Sequence, residues 1–91
     1  MFKTKIDGIG SYLPENIITN DDLAQKMDTK DAWIQERTGI QTRRYATNFK
    51  ETTTTMGAKA ASIAIERAGI NADDIDFIIF ATLSPDYYFP G

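Results

Sequence analysis

Nucleophilic and acid–base chemistry draws heavily on cysteine and histidine, and this sequence of 91 residues contains neither. A thiolate nucleophile, a disulfide, a Cys-based metal site and any Ser/His/Asp or Cys/His arrangement are therefore excluded. Ser11, Ser62 and Ser84 have no obvious partner base. Carboxylates alone remain as metal ligands, clustered at Asp21-Asp22 and at Asp73-Asp74-Ile75-Asp76. The first pair suits a helix start and the second a solvated turn, so no metal site is expected. Gly8-Ile9-Gly10 lacks the third glycine and the following helix of a dinucleotide-binding loop. Two groups hold more interest. Trp33 and Arg37 share a helix face, where an indole and a guanidinium can stack on a planar base and pair with a phosphate, with Lys30 adding charge. The same spacing fits a core-anchoring Trp33 beside a surface Arg37, and on pattern alone burial is the commoner fate of tryptophan. Tyr87-Tyr88-Phe89-Pro90 can wall an apolar pocket or subunit interface, or simply cap a core.

The elements that must position these residues read as a mixture of helix and strand. Residues 2–12 form an expected strand interrupted at Gly8 and Gly10 and ended by Pro14. Thr19 or Asn20 caps a short helix to about Met27, with Asp21 and Asp22 in its first turn. A second helix spans about Lys30 to Thr38, capped by Asp28 or Thr29 and stopped by Gly39. Ile40 to Ala46 is an expected strand, half of a hairpin, and residues 48–51 form a loop. A longer helix runs from about Thr53 to Ala68 and stops at Gly69. After a turn at 71–74, Ile75 to Thr82 is an expected strand.

Two of these elements bear on the size of the whole. The long helix is apolar nearly all round and rich in small residues, so neighbouring backbones can approach it closely. Phe77-Ile78-Ile79-Phe80-Ala81 shows no polar alternation, as in strands covered on both faces. Both features point to a piece of a larger layered α/β assembly rather than a small α+β domain with a sticky surface. Apolar residues make up 42% and charged residues 25% of the chain, which is ordinary for a globular protein. A net charge of -3 leaves no basic patch for nucleic acid. Phe77 to Ala81 is far too short to span a membrane, and Met1-Phe2-Lys3-Thr4-Lys5 does not open a secretory signal, so a cytoplasmic location is expected.

Gly8-Ile9-Gly10-Ser11-Tyr12-Leu13-Pro14 resembles the opening of the β-ketoacyl-ACP synthase III family. Thr19-Asn20-x-Asp22-Leu23 follows at the family's spacing, and Asp28-Thr29-x-Asp31-x-Trp33-Ile34-x-x-Arg37-Thr38-Gly39-Ile40 is its most specific match. Thr55-Met56-Gly57-x-x-Ala60-Ala61, Ala68-Gly69-Ile70, Ala81-Thr82-x-Ser84 and Phe89-Pro90 continue the resemblance in order. It implies an α/β thiolase-like fold of α-β-α-β-α layers, with residues 1–91 as the N-terminal fragment of the first half only. It implies a homodimeric acyltransferase of fatty acid biosynthesis that condenses acyl-CoA with malonyl-ACP. The family's catalytic cysteine, histidine and asparagine have no counterpart here, so no catalytic residue is carried over. Acyl-CoA is a substrate, and no cofactor is expected.

Binding residues are carried over by the same resemblance. Trp33 matches a tryptophan that stacks on the coenzyme A adenine, Arg37 an arginine near its nucleotide and phosphates, and Thr29 a threonine that hydrogen-bonds at the same end. This reverses the weighting that pattern alone gives Trp33. Phe89 matches a phenylalanine that crosses the dimer into the partner's acyl pocket. Implied partners are acyl-CoA, acyl carrier protein, a second subunit and the remainder of the enzyme. Pro85-Asp86-Tyr87-Tyr88 replaces smaller residues common before that phenylalanine, and the loop at 48–50 is about one residue longer than in common members, so the acyl group stays open. Alternatives are a standalone CoA- or nucleotide-binding module, a non-catalytic interaction module, and a related acyltransferase of polyketide or secondary lipid synthesis.

Overall fold

The computed structural model describes residues 3–46 and 50–87. The chain forms two compact units, one of Leu13–Phe49 and one of Met1–Tyr12 with Lys50–Gly91.

The Leu13–Phe49 unit runs β1 (Asn16–Thr19), α1 (Asn20–Ala24), α2 (Asp31–Thr38) and β2 (Thr42–Tyr45). β1 and β2 pair antiparallel, with Asn16 opposite Tyr45 and Thr19 opposite Thr42. The strand expected at 40–46 is thus present, and its partner is a segment that the sequence pattern did not single out. Arg44 Nη1 donates to Pro14 O at 2.8 Å, holding the entry to β1 against β2. α1 begins where Thr19 takes the cap. Asp22 N donates to Thr19 Oγ1 at 3.1 Å, and Thr19 N donates to Asp22 Oδ2 at 2.9 Å. The helix ends at Ala24, earlier than expected, and is followed by turns in which the amides of Lys26 and Met27 both donate to Leu23 O.

α2 keeps its expected end: Gly39 adopts φ 73°, a left-handed conformation that glycine takes without a Cβ clash. Its start differs from expectation. Lys30 occupies the cap position without a side-chain hydrogen bond, so neither Asp28 nor Thr29 caps the helix. Asp31 instead anchors the first turn, accepting from Gln35 Nε2 at 2.8 and 2.9 Å. Among the described residues of this unit Ile34 and Pro14 are the buried apolar ones, and Asn20 is the buried polar one.

The other unit is organised by α3 (Thr53–Ala68), whose bounds match the sequence expectation. Thr52 N donates to Thr55 Oγ1 at 2.8 Å, and Thr55 N donates to Thr52 Oγ1 at 3.1 Å. The intervening amides of Thr53 and Thr54 donate to Asp86 at 3.1 and 2.9 Å. The orphan donors of the first turn therefore all find partners. At about 100° per residue, Gly57, Ala60, Ala61, Ala64 and Ala68 fall on one face of α3. Gly8 and Gly10 lie directly on that face. A Cβ on Gly10 would fall 2.6 Å from Ala64 N, and one on Gly8 would fall 2.9 Å from Ala68 N, so only glycine permits this approach. Arg67 Nη1 donates to Ile9 O at 3.1 Å and fixes the same segment. The expected turn at 71–74 is a short 3-10 helix, Ala72–Asp74.

Two expected strands are not strands here. Among the described residues, neither the segment from 3 to 12 nor Ile75 to Thr82 joins a sheet. A strand is defined by its ladder, and no described segment supplies the partner hydrogen bonds. Two-sided burial is likewise not reached: Phe77 is 81% and Ile79 85% exposed, and no residue of α3 is fully buried. Among the described residues no helix is long and apolar enough to cross a membrane.

Candidate functional site

α2 presents the two residues whose spacing drew attention. Trp33 is 54% exposed, so the core-anchor alternative does not hold; Ile34, the next residue, takes the buried position. The Arg37 guanidinium carbon lies 5.4 Å from the Trp33 ring centroid, within the range of a cation–π contact. Arg37 therefore covers part of the indole, while more than half of the tryptophan surface stays open. Arg37 also sits in the last turn of α2, where a positive charge complements the helix dipole.

Thr29 lies two residues before α2. Its Oγ1 is buried and has no hydrogen-bond partner. A buried hydroxyl without a partner costs about 1–3 kcal/mol, so this one does not stabilise the free chain. Phe89 falls outside the described residues.

The frame behind these residues centres on Asn20, which is 1% exposed. Its Nδ2 donates to Asp31 Oδ1 and to Ile40 O, both at 2.8 Å, and its Oδ1 accepts from Arg43 Nη2 at 2.6 Å. Hydrogen bonds from Gln35 and from Asn20 hold the Asp31 carboxyl below the usual carboxylate range. Sequence reasoning placed Asn20 as a rival helix cap and within the family-like Thr19-Asn20-x-Asp22-Leu23 segment, with no structural role beyond that. A buried hub and an exposed cap draw on the same residue types, so nothing in the local pattern separates them.

In the other unit, Thr53, Thr54, Gly57, Ala58 and Ala61 of α3 face Ile78, Phe80, Thr82 and residues 85–87 across an apolar groove of about 450 Å³. Tyr87 lines this groove, the pocket-wall alternative for that aromatic residue. Asp86 closes one end by its bonds to α3, and hydrogen bonds from the Thr54 side chain and backbone, with that of Thr53 N, hold its carboxyl below the usual range.

No family model matches the chain. Along all 91 of its residues it is 53% identical to the beta-ketoacyl-[acyl-carrier-protein] synthase III of Acidiphilium cryptum. The chain matches the N-terminal portion of β-ketoacyl-[acyl-carrier-protein] synthase III. It spans 28% of the length of that relative. The 3-oxoacyl-[acyl-carrier-protein] synthase III of Aquifex aeolicus superposes with a TM-score of 0.91 at 48% identity, covering 97% of this chain and 28% of the other. The priming β-ketosynthase of the R1128 polyketide pathway gives a TM-score of 0.75 at 38% identity, covering 79% of this chain and 21% of the other. The fold is accordingly that of part of a thiolase-like α/β synthase III. The two segments expected as strands carry the sequence of that fold without its completed sheet.

Proposed function

We propose that this chain is the coenzyme-docking part of a β-ketoacyl-ACP synthase III, which joins the acyl group of an acyl-CoA to malonyl-ACP with loss of carbon dioxide. The observation that carries the reading is the exposed Trp33 with Arg37 over its ring, at positions of an ordered motif that runs through a chain half identical to such synthases. An indole with one open face accepts a purine by stacking. The adjoining guanidinium supplies charge and a fork of donors for phosphate oxygens. The Thr29 hydroxyl, buried and unpartnered in the free chain, would join the same nucleotide only where docking uncovers it. Phe89 would serve the acyl pocket across a homodimer interface, in a cytoplasmic enzyme whose partners are acyl-CoA and acyl carrier protein.

A second reading has its own support. The likeness to a polyketide priming β-ketosynthase keeps open a related acyltransferase that uses the same docking residues with a different acyl group. Both readings predict coenzyme binding through α2. The test is calorimetric titration of coenzyme A into the 91-residue chain, with pantetheine as the control lacking the nucleotide. Saturable binding of coenzyme A alone, weakened in Trp33→Ala, is expected. A chain with its helical signal intact and no coenzyme A binding would refute the docking role. To separate the two enzymes, the chain can replace the aligned residues of the Acidiphilium cryptum relative, and the acyl-CoA range of that chimaera can be compared with its parent's.

A further inference from the structure

We propose that Asn20 is the positioning residue for the nucleotide-stacking face of α2. The inference deepens the docking reading and rests on it. An eight-residue helix is not stable in water by itself, and α2 buries a single apolar side chain, Ile34. Apolar packing at one point holds a helix down but leaves its rotation poorly fixed. The side chain of Asn20 supplies what is missing. Asp31 is the first residue of α2, and Ile40 follows the left-handed Gly39 that ends it. Asn20 Nδ2 donates to both, so one amide grips the two ends of the helix at once. Its Oδ1 accepts from Arg43 of β2, and Arg43 Nη1 also donates to Ile18 O of β1 at 3.3 Å. The helix is thereby referenced to both strands through one buried group.

The arrangement also has a fixed sense. Flipping the amide would set its oxygen against a carboxylate and a carbonyl, and its NH2 against a guanidinium. Two donors and one acceptor fit only one way, and Asn20 is the buried polar residue of the unit. Stacking tolerates little displacement, so a shell that locks the helix should matter to binding although Asn20 lies inside the frame. Asn20 acts on the ligand only through Trp33 and Arg37.

The experiment is a double-mutant cycle on coenzyme A affinity, measured by calorimetry on the full 91-residue chain, with far-UV circular dichroism of every variant. Asn20→Ala is expected to weaken binding about tenfold with the helical signal retained. In Asn20→Ala/Trp33→Ala the loss should equal that of Trp33→Ala alone, because the residue works through the indole. Should Asn20→Ala lose its helices, Asn20→Asp keeps the volume and the acceptor for Arg43 but removes both donors, and the same weakening is expected. Wild-type affinity in a folded Asn20 variant overturns the positioning role, as do losses that simply add. No binding by the folded wild type overturns the docking reading itself, and is told apart because Trp33→Ala then changes nothing.

Discussion

Trp33 and Thr29 make opposite demands on the free and the bound chain, and each yields a prediction. Removing the indole takes away a stacking platform, worth about 1–3 kcal/mol for a base on an aromatic ring. Trp33→Ala should therefore weaken coenzyme A binding by that amount while leaving thermal stability nearly unchanged, since the side chain is largely exposed. Equal affinity of Trp33→Ala and wild type by calorimetry would sink the role. Thr29→Val replaces a buried, unpartnered hydroxyl with a methyl group. Its thermal midpoint should stay level or rise, and its coenzyme A affinity should fall by about 1 kcal/mol. A fall in both would mean that the hydroxyl serves the fold instead. At this scale the sequence was readable where spacing brings two side chains together along one helix, as for Trp33 and Arg37. It did not reveal the hub role of Asn20, whose partners Asp31, Ile40 and Arg43 come from 11 to 23 residues away.

α3 shows how local signals and distant ones combine in an element. Its bounds were legible because Thr52 and Thr55 form a capping pair and Gly69 ends the helix in the left-handed region. The contribution of Asp86 was not legible, since it arrives from more than 30 residues away to take the amides of Thr53 and Thr54. Hydrogen bonds from the Thr54 side chain first, and then from these amides, lower the Asp86 carboxyl in the folded chain; Asp31 is lowered by the Gln35 and Asn20 side chains, and Asp22 chiefly by the Thr19 amide. A carboxyl lowered by folding stabilises the fold above its unfolded value, about 3.9, and that stability is lost as pH falls through the lower folded value. Helical signal at fixed temperature should therefore decline as pH drops below about 4. Asp86→Asn should lower the thermal midpoint at neutral pH and flatten its acid dependence; an unchanged acid profile would remove Asp86 from the account. The glycines of the opening segment supply a second test. Gly10→Ala drives a methyl group into the backbone of α3 at Ala60 and Ala64, and should cost about 1–3 kcal/mol in denaturant unfolding.

For the molecule as a whole, the question is what the apolar stretch at 77–80 does when α3 lies against part of it but no described strand pairs with it. Its composition reads as that of a doubly covered strand, an expectation that the described residues do not meet, since the stretch joins no sheet and stands largely exposed. Pairing, however, is a property of two segments, and the sequence of one of them cannot supply it. Phe77, Ile78, Ile79 and Phe80 thus stand largely exposed, with Ile6, Ile9 and Leu83 in the same unit. An unpaired strand edge with apolar side chains on both sides is a template for association. The isolated 91-residue chain should therefore bind a hydrophobic dye and sediment above its 10.2 kDa monomer mass. Ile79→Lys places a charge in the middle of the stretch and should shift the chain toward the monomer and reduce dye binding. Its coenzyme A affinity should not change, because Trp33 belongs to the other compact unit. A wild-type chain that is monomeric and blind to the dye would show that the stretch is covered in solution, and with it would fall the reading of these residues as part of a larger layered fold.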